Sequence, residues 1–264
     1  MTTIIARSAE SVHWYGQDGS PQYTVTAKDG QQRPTTLRDA RKLNLVPSVT
    51  TVLKVAAKPG LDVWKNEQLL LAALTLPRVL GETEKEFIAR VVTDSKATGK
   101  LAAEQGTRIH ESIESWYGGN KNVEHRETAM RFEEAVFNHF KTHPHQSWLT
   151  ERSFTSQMGF GGKVDLYCEP DEHAPTGIVL DAKSKEFGPD DKVEGYLENV
   201  MQLAAYRVGL GLPHARCANV FASRTHPGLI KIIEHSHEEL ERSWLMFQSL
   251  LRFWSLKNQF NDHL

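Results

Sequence analysis

Cysteine is scarce in this sequence: Cys168 and Cys217 are the only two in 264 residues. Two thiols exclude a disulfide framework and a four-cysteine zinc or iron–sulfur centre within one chain, and they suit a reducing compartment. Long apolar runs are missing as well. The longest, LLLAAL at Leu69–Leu74, is far short of the roughly 20 residues that cross a bilayer. The opening residues, MTTIIARSAESVHWYG, lack the apolar stretch of an export signal. The expectation is a soluble, cytoplasmic protein with no membrane partner. Charge of one sign is also absent, since the formal net charge is -2. That argues against indiscriminate coating of nucleic acid, although a net value hides local patches. No repeat period, low-complexity tract or phosphate-binding G-x-x-x-x-G-K-[ST] loop occurs, which excludes a solenoid and a nucleotide-driven motor.

What is present has a clear order. Asp-Gly and Gly-Ser-Pro punctuation around SVHWYGQDGSPQYTVTAKDG predicts a hairpin. TTLRDARKLNL reads as a short helix capped by Thr36 with Asp39 in its first turn, and another helix starts at Ser48. Further helices are expected over 61–76 and 82–105. From Gly106 the pattern changes to two amphipathic helices, GTRIHESIESWY and ETAMRFEEAVFNHFKTH, then strands over 148–157, 162–169 and 177–186. A helix, YLENVMQLAAYRVGL, precedes two more strands, RCANVFAS and LIKIIEH, and a long helix over 237–258 closes the chain. A helix between the third and fourth strands permits a crossover, so the fold class expected is α/β, a mixed central sheet flanked by helices. The division expected is a mainly helical N-terminal elaboration over 1–105 and a core over 106–264.

The stretch GIVLDAKSKE carries the chemistry. Alternate residues of a strand share a face, so Asp181 and Lys183 project together from the end of an apolar run. Two other Asp-x-Lys triplets, Asp94 to Lys96 and Asp190 to Lys192, follow no such run. The preceding strand, GGKVDLYCE, carries Asp165 in a similar place, and the connection between the strands could bring it beside Asp181. Paired carboxylates repel, and one protonates unless a cation compensates. A hard divalent ion with oxygen ligands, magnesium or manganese, is the natural compensator. It polarises a phosphoryl oxygen and activates water, while a nearby ammonium orients that water.

GGKVD, LDAK and QLAAY, preceded by GTRIHESIE, together resemble the PD-(D/E)XK nuclease superfamily in its RecB-like branch, with motifs in the same order over about 100 residues. PSVTTVL, FASRTHPG and the terminal aromatic helix are similar to phage exonucleases related to the mitochondrial genome maintenance exonuclease. The resemblance implies a restriction-endonuclease-like core and a metal-dependent DNA exonuclease, with Mg2+ or Mn2+ as cofactor. It implies metal binding by His110, Asp165, Asp181 and the Ala182 carbonyl, and action of Lys183 at the water. By the same resemblance Gln202 and Tyr206, one helical turn apart, brace the site or touch DNA. Glu114 and Glu151 are further supporting candidates, each with a solvated acid or an ordinary salt bridge as the plain alternative.

The partner expected is DNA, preferentially single-stranded with a free end. Residues 28–65 hold eight basic residues against three acids, a local +5 suited to tracking phosphates. Candidate contacts are Arg38, Arg41 and Lys42 in that stretch, Ser48 and Thr50 in PSVTTVL, and Arg224 in FASRTHPG. Replication or recombination proteins are conceivable partners, and the host cytoplasm is the location if the chain is phage-encoded. Two rivals stand beside this reading: a structure-specific or nicking endonuclease, and a nucleic-acid-binding module that has lost cleavage.

Overall fold

The computed structural model describes residues 12–143 and 146–260. The first eleven residues, part of the stretch in which no export signal was found, lie outside them. The turn-rich N-terminal segment gives two turns rather than one hairpin. β1 (Trp14–Tyr15) pairs with β4 (Val46–Pro47), whereas β2 (Thr24–Thr26) and β3 (Gln32–Pro34) form a hairpin about Asp29 and Gly30. Between them α1 (Leu37–Lys42) is opened by Thr36, whose hydroxyl accepts from the Asp39 backbone while the Asp39 carboxylate accepts from the Thr36 backbone. α2 (Val49–Leu53) is capped by Ser48.

α3 (Pro59–Thr75), α4 (Glu84–Ser95) and α5 (Ala97–Tyr117) follow. The single helix expected over 82–105 is therefore broken at Lys96, and the boundary drawn at 105/106 falls inside α5, which runs through Gly106 without interruption. Residues 14–53 also belong with the sheet. Trp14, Ala40, Leu45, Val49, Val52 and Leu53 share one buried cluster with Phe160, Val179, Leu203 and Phe247. Only α3 and α4 stand apart, burying Ala72 and Val91 respectively.

After α6 (Arg126–Phe140) come β5 (Leu149–Ser156), β6 (Phe160–Cys168) and β7 (Ile178–Lys185), then α7 (Leu197–Gly209), β8 (Arg216–Ser223), β9 (Ile230–His235) and α8 (His237–Asn258). The order expected from the sequence holds. The five strands make one sheet in the order β5-β6-β7-β8-β9. All neighbours are antiparallel except β7 and β8, the pair that α7 connects. One face is covered by α2, α7 and α8, the other by α5 and α6, each with its own apolar cluster. Side chains such as Phe132, Leu180, Leu203 and Phe247 are fully buried there, each stabilising the fold by about 1.5–3 kcal/mol.

One irregularity shapes everything that follows. β6 and β7 pair over only three residues, Leu166 to Leu180, Tyr167 to Val179 and Cys168 to Ile178. Beyond that point they part: β7 stays with β8 as far as Lys185 opposite Ser223, while the start of β6 turns to the N-terminal segment through a bridge from Gly161 to Ser48. Gly162 permits this close packing, since a β-carbon there would lie 2.9 Å from the rings of both Phe154 and Tyr206.

Candidate active site

Asp165 and Asp181 are the first residues past the last β6–β7 pair, so both stand at the mouth of the fork. The backbone amide of Ala182 donates to Asp165 Oδ2 at 2.8 Å, bonding a carboxylate where a strand partner would otherwise be. In an extended strand a residue's N–H and C=O point to the same edge, which turns the Ala182 carbonyl toward the same gap. From above, α5 lays His110 across it, with Nε2 3.1 Å from Asp165 Oδ2. The approach is set one turn earlier by Gly106, where a β-carbon would fall 2.5 Å from Ser184 Oγ on β7.

Asp181 is wholly buried. Its two oxygens are taken by Lys183 Nζ at 2.6 Å and by Asn219 Nδ2 at 2.7 Å, and Asn219 in turn bonds His235 at 2.7 Å. On the other side, Lys183 reaches Gln202 Oε1 at 3.5 Å, and Gln202 donates to the Tyr206 hydroxyl at 2.8 Å. Gln202 and Tyr206 thus stand beside the lysine on α7.

Burial and charge pull these groups in opposite directions. For Asp181 burial dominates and lifts its pKa to about 6, although Lys183 and Asn219 oppose it. For Asp165 burial also pushes upward, but the His110 and Lys183 charges outweigh it and hold the carboxyl below its ordinary value. Burial disfavours charge on His110 and Lys183, yet the neighbouring carboxylates raise both pKa values above normal. The wholly buried Asp181 is thus pushed toward neutrality, while Asp165, its side chain 17% exposed at the cleft, keeps its charge.

The described residues able to share one metal ion form a single group: His110, Glu151 and Asp165, with ligand atoms within 4.8 Å of one another. Asp181, expected as a ligand, lies outside that group, and Lys183 and Asn219 hold its oxygens. Glu151, expected only as support, lies inside it, 4.0 Å from His110 Nδ1. These groups open on a cleft of about 710 Å³ lined by His110, Glu151, Lys163, Asp165, Lys183 and Arg224, with Glu114 also on its wall.

The other candidates divide. Arg224 faces the cleft, whereas Arg38, Arg41, Lys42, Ser48 and Thr50 do not line it. Arg41 donates to the carbonyls of Asn258 and Gln259 at the end of α8, and Ser48 is buried as the cap of α2. Elsewhere in the basic stretch Arg33 pairs with Asp39 and Lys58 with Glu198. Those cations stabilise helices and their contacts, which a count of charges does not reveal. Lys163 and Asn219 escaped the sequence reading. Lys163 stands two residues before Asp165 on one strand, a spacing that places both on one face. Asn219 is a lone amide within the apolar run RCANVFAS.

No family model matches the chain, and no curated protein sequence matches it. Among solved structures, a protein titled SSO0001 is 14% identical, with 72% of this chain and 85% of that one covered, at a TM-score of 0.28. An alkaline exonuclease from Laribacter hongkongensis is 11% identical, with 75% and 98% covered, at a TM-score of 0.29. Scores this low do not establish a shared fold.

Proposed function

We propose that this protein is a metal-dependent DNA nuclease with a PD-(D/E)XK-type core, acting as an exonuclease on single strands that enter by a free end. The observation that carries the reading is the fork between β6 and β7. There His110, Asp165 and Lys183, drawn from one helix and two strands, line an open cleft, with the buried Asp181 bonded to Lys183 behind them.

The donor set fits a hard divalent cation: one imidazole nitrogen, carboxylates and the Ala182 carbonyl, all oxygen ligands apart from the imidazole. His110 and Asp165 would hold Mg2+ or Mn2+, with Asp181 joining as its oxygens are released. Bound there, the ion would polarise a phosphoryl oxygen and acidify a water. The chain's own residues do the rest. Lys183, kept protonated by Asp181 and Asp165, would turn its ammonium to the attacking water or to charge growing on the phosphoryl oxygens. Gln202, anchored by Tyr206, limits the directions the lysine can take. Arg224 lies on the cleft wall within reach of a backbone phosphate.

The preference for single strands rests on α3, α4 and the start of α5, the part of the N-terminal half that the sheet does not absorb. Gly99, Ala102 and Ala103 of α5 form one wall of the cleft, and small side chains there leave space for a flexible chain while a stiff duplex is wider. The test compares linear and circular single-stranded DNA of one sequence with Mg2+. Loss of the linear form with the circle intact is expected, and no loss of either in EDTA. Equal cutting of both forms would make the protein an endonuclease. Cutting that persists in EDTA would remove the metal.

A further inference from the structure

The sharpest unexplained feature of the cleft is Glu151. It has a left-handed backbone, φ 54°, inside a β-strand, a conformation costly for any residue but glycine. The ladder breaks around it: Thr150 pairs with Leu166 and Arg152 with Val164, while Glu151 and Asp165 between them are unpaired. The distortion keeps the Glu151 carboxylate beside His110 and Asp165, with only 17% of its side chain exposed. Lys163, from the strand alongside, is ion-paired to that carboxylate.

We propose that Glu151 is a ligand of the divalent cation and that Lys163 is its internal stand-in, a lysine that neutralises Glu151 until the ion arrives and then turns to the nucleic-acid phosphate. The inference rests on the nuclease reading and adds two roles to it. Three observations converge. Glu151, His110 and Asp165 can offer their ligand atoms to one ion, a group that does not include Asp181. The Lys163 side chain is 42% exposed, and an ion pair open to water on one side is weak and readily exchanged. Lys163 also lines the cleft that would admit the substrate, so a short rotation carries its ammonium from carboxylate to phosphate without crossing the protein. The exchange replaces one positive charge on Glu151 by a doubly charged ion. The displaced lysine gains a new anionic partner only when DNA is bound, so metal and DNA should bind with positive coupling through it.

The test is calorimetric titration of the full-length protein with MnCl2, without and then with a short single strand that lacks a scissile phosphodiester. Glu151→Gln should weaken Mn2+ binding roughly 10- to 100-fold. Glu151→Gly, which relaxes the left-handed backbone, should weaken it equally while folding at least as well, so that misfolding cannot imitate the effect. Lys163→Met should bind Mn2+ severalfold more tightly than wild type without DNA and should lose the coupling between metal and strand. Unchanged affinity in both Glu151 variants, or weaker binding in Lys163→Met, would overturn the inference while leaving the nuclease reading in place. Absence of Mn2+ binding by the wild-type protein would overturn both.

Discussion

Leu180 and Leu74 carry the same side chain in opposite circumstances. Leu180 is fully buried in the sheet at the root of the fork, while Leu74 is 84% exposed on α3. The contrast extends to their regions. The sheet and the helices against it enclose two continuous apolar clusters. α3 and α4 bury one residue each and, with the connection between them, leave Leu70, Leu71, Leu74, Leu80 and Ile88 in the open. Stability and chemistry therefore reside together in one part. The helical arm, α3 and α4, supplies none of the charged groups that line the cleft, and it joins the cleft only through α5, the unbroken helix that carries His110.

The comparison breaks most visibly at the charges. Asp165→Asn and Lys183→Ala should each cut hydrolysis of single-stranded DNA by about a thousandfold or more, since a lost ligand or water-orienting cation costs several kcal/mol at the transition state. Asp165→Asn preserves shape and should melt within a few degrees of wild type, whereas Lys183→Ala removes the cation from the buried Asp181 and should melt lower, so its activity is compared per folded protein. Near-normal cleavage by Lys183→Ala would show that the fork is not where bonds break.

The two leucines give the next largest difference. Leu180→Ala should destabilise by about 3 kcal/mol in urea titration, by lost transfer energy plus a cavity. Leu74→Ala should change stability by less than about 0.5 kcal/mol. A similar cost at both positions would mean that the arm is packed against something as firmly as the sheet.

A smaller effect tests how the arm's side of the molecule is joined to the fork. Gly106 lets α5 approach β7 closely enough to set His110 on Asp165. Gly106→Val should push the helix outward and lower activity about tenfold, a misplacement of roughly an ångström in an oriented site. If activity falls only in proportion to lost folded protein, α5 is a structural strut and not a positioner.

How much of this was legible follows the same division. The strands, α7 and α8 could be read because apolar alternation, turn residues and the Ser236 to Glu239 capping box act locally. Asp181 and Lys183 stood out because they end such a run. The break at Lys96 was invisible, since it depends on how α4 and α5 pack and not on a proline or glycine. Partners and burial are equally hidden: nothing local says that the exposed Arg41 bonds the end of α8 or that Ser48 faces inward. Lys163 and Glu151 meet only because two strands lie side by side, a relation no single-strand pattern encodes.

The smallest effect concerns α1, which lies on the sheet's side of the division and carries part of the basic stretch. The Arg33 guanidinium, the Thr36 hydroxyl and the Thr36 amide all bond the Asp39 carboxylate and hold its pKa well below the usual carboxylate range. A depressed folded pKa contributes stability that is present above the unfolded value of about 3.9 and is lost as pH falls through the folded one. Asp39→Asn should therefore cost about 1 kcal/mol at pH 7, the size of a helix cap assisted by a partly exposed ion pair. Urea titrations of the two proteins should converge as pH is lowered below about 4, because protonation then removes from the wild type what the substitution removes at every pH. A difference that stays constant down to pH 3 would mean that the amide disturbs packing around α1, and that Arg33 is bound there weakly enough to be free for phosphate.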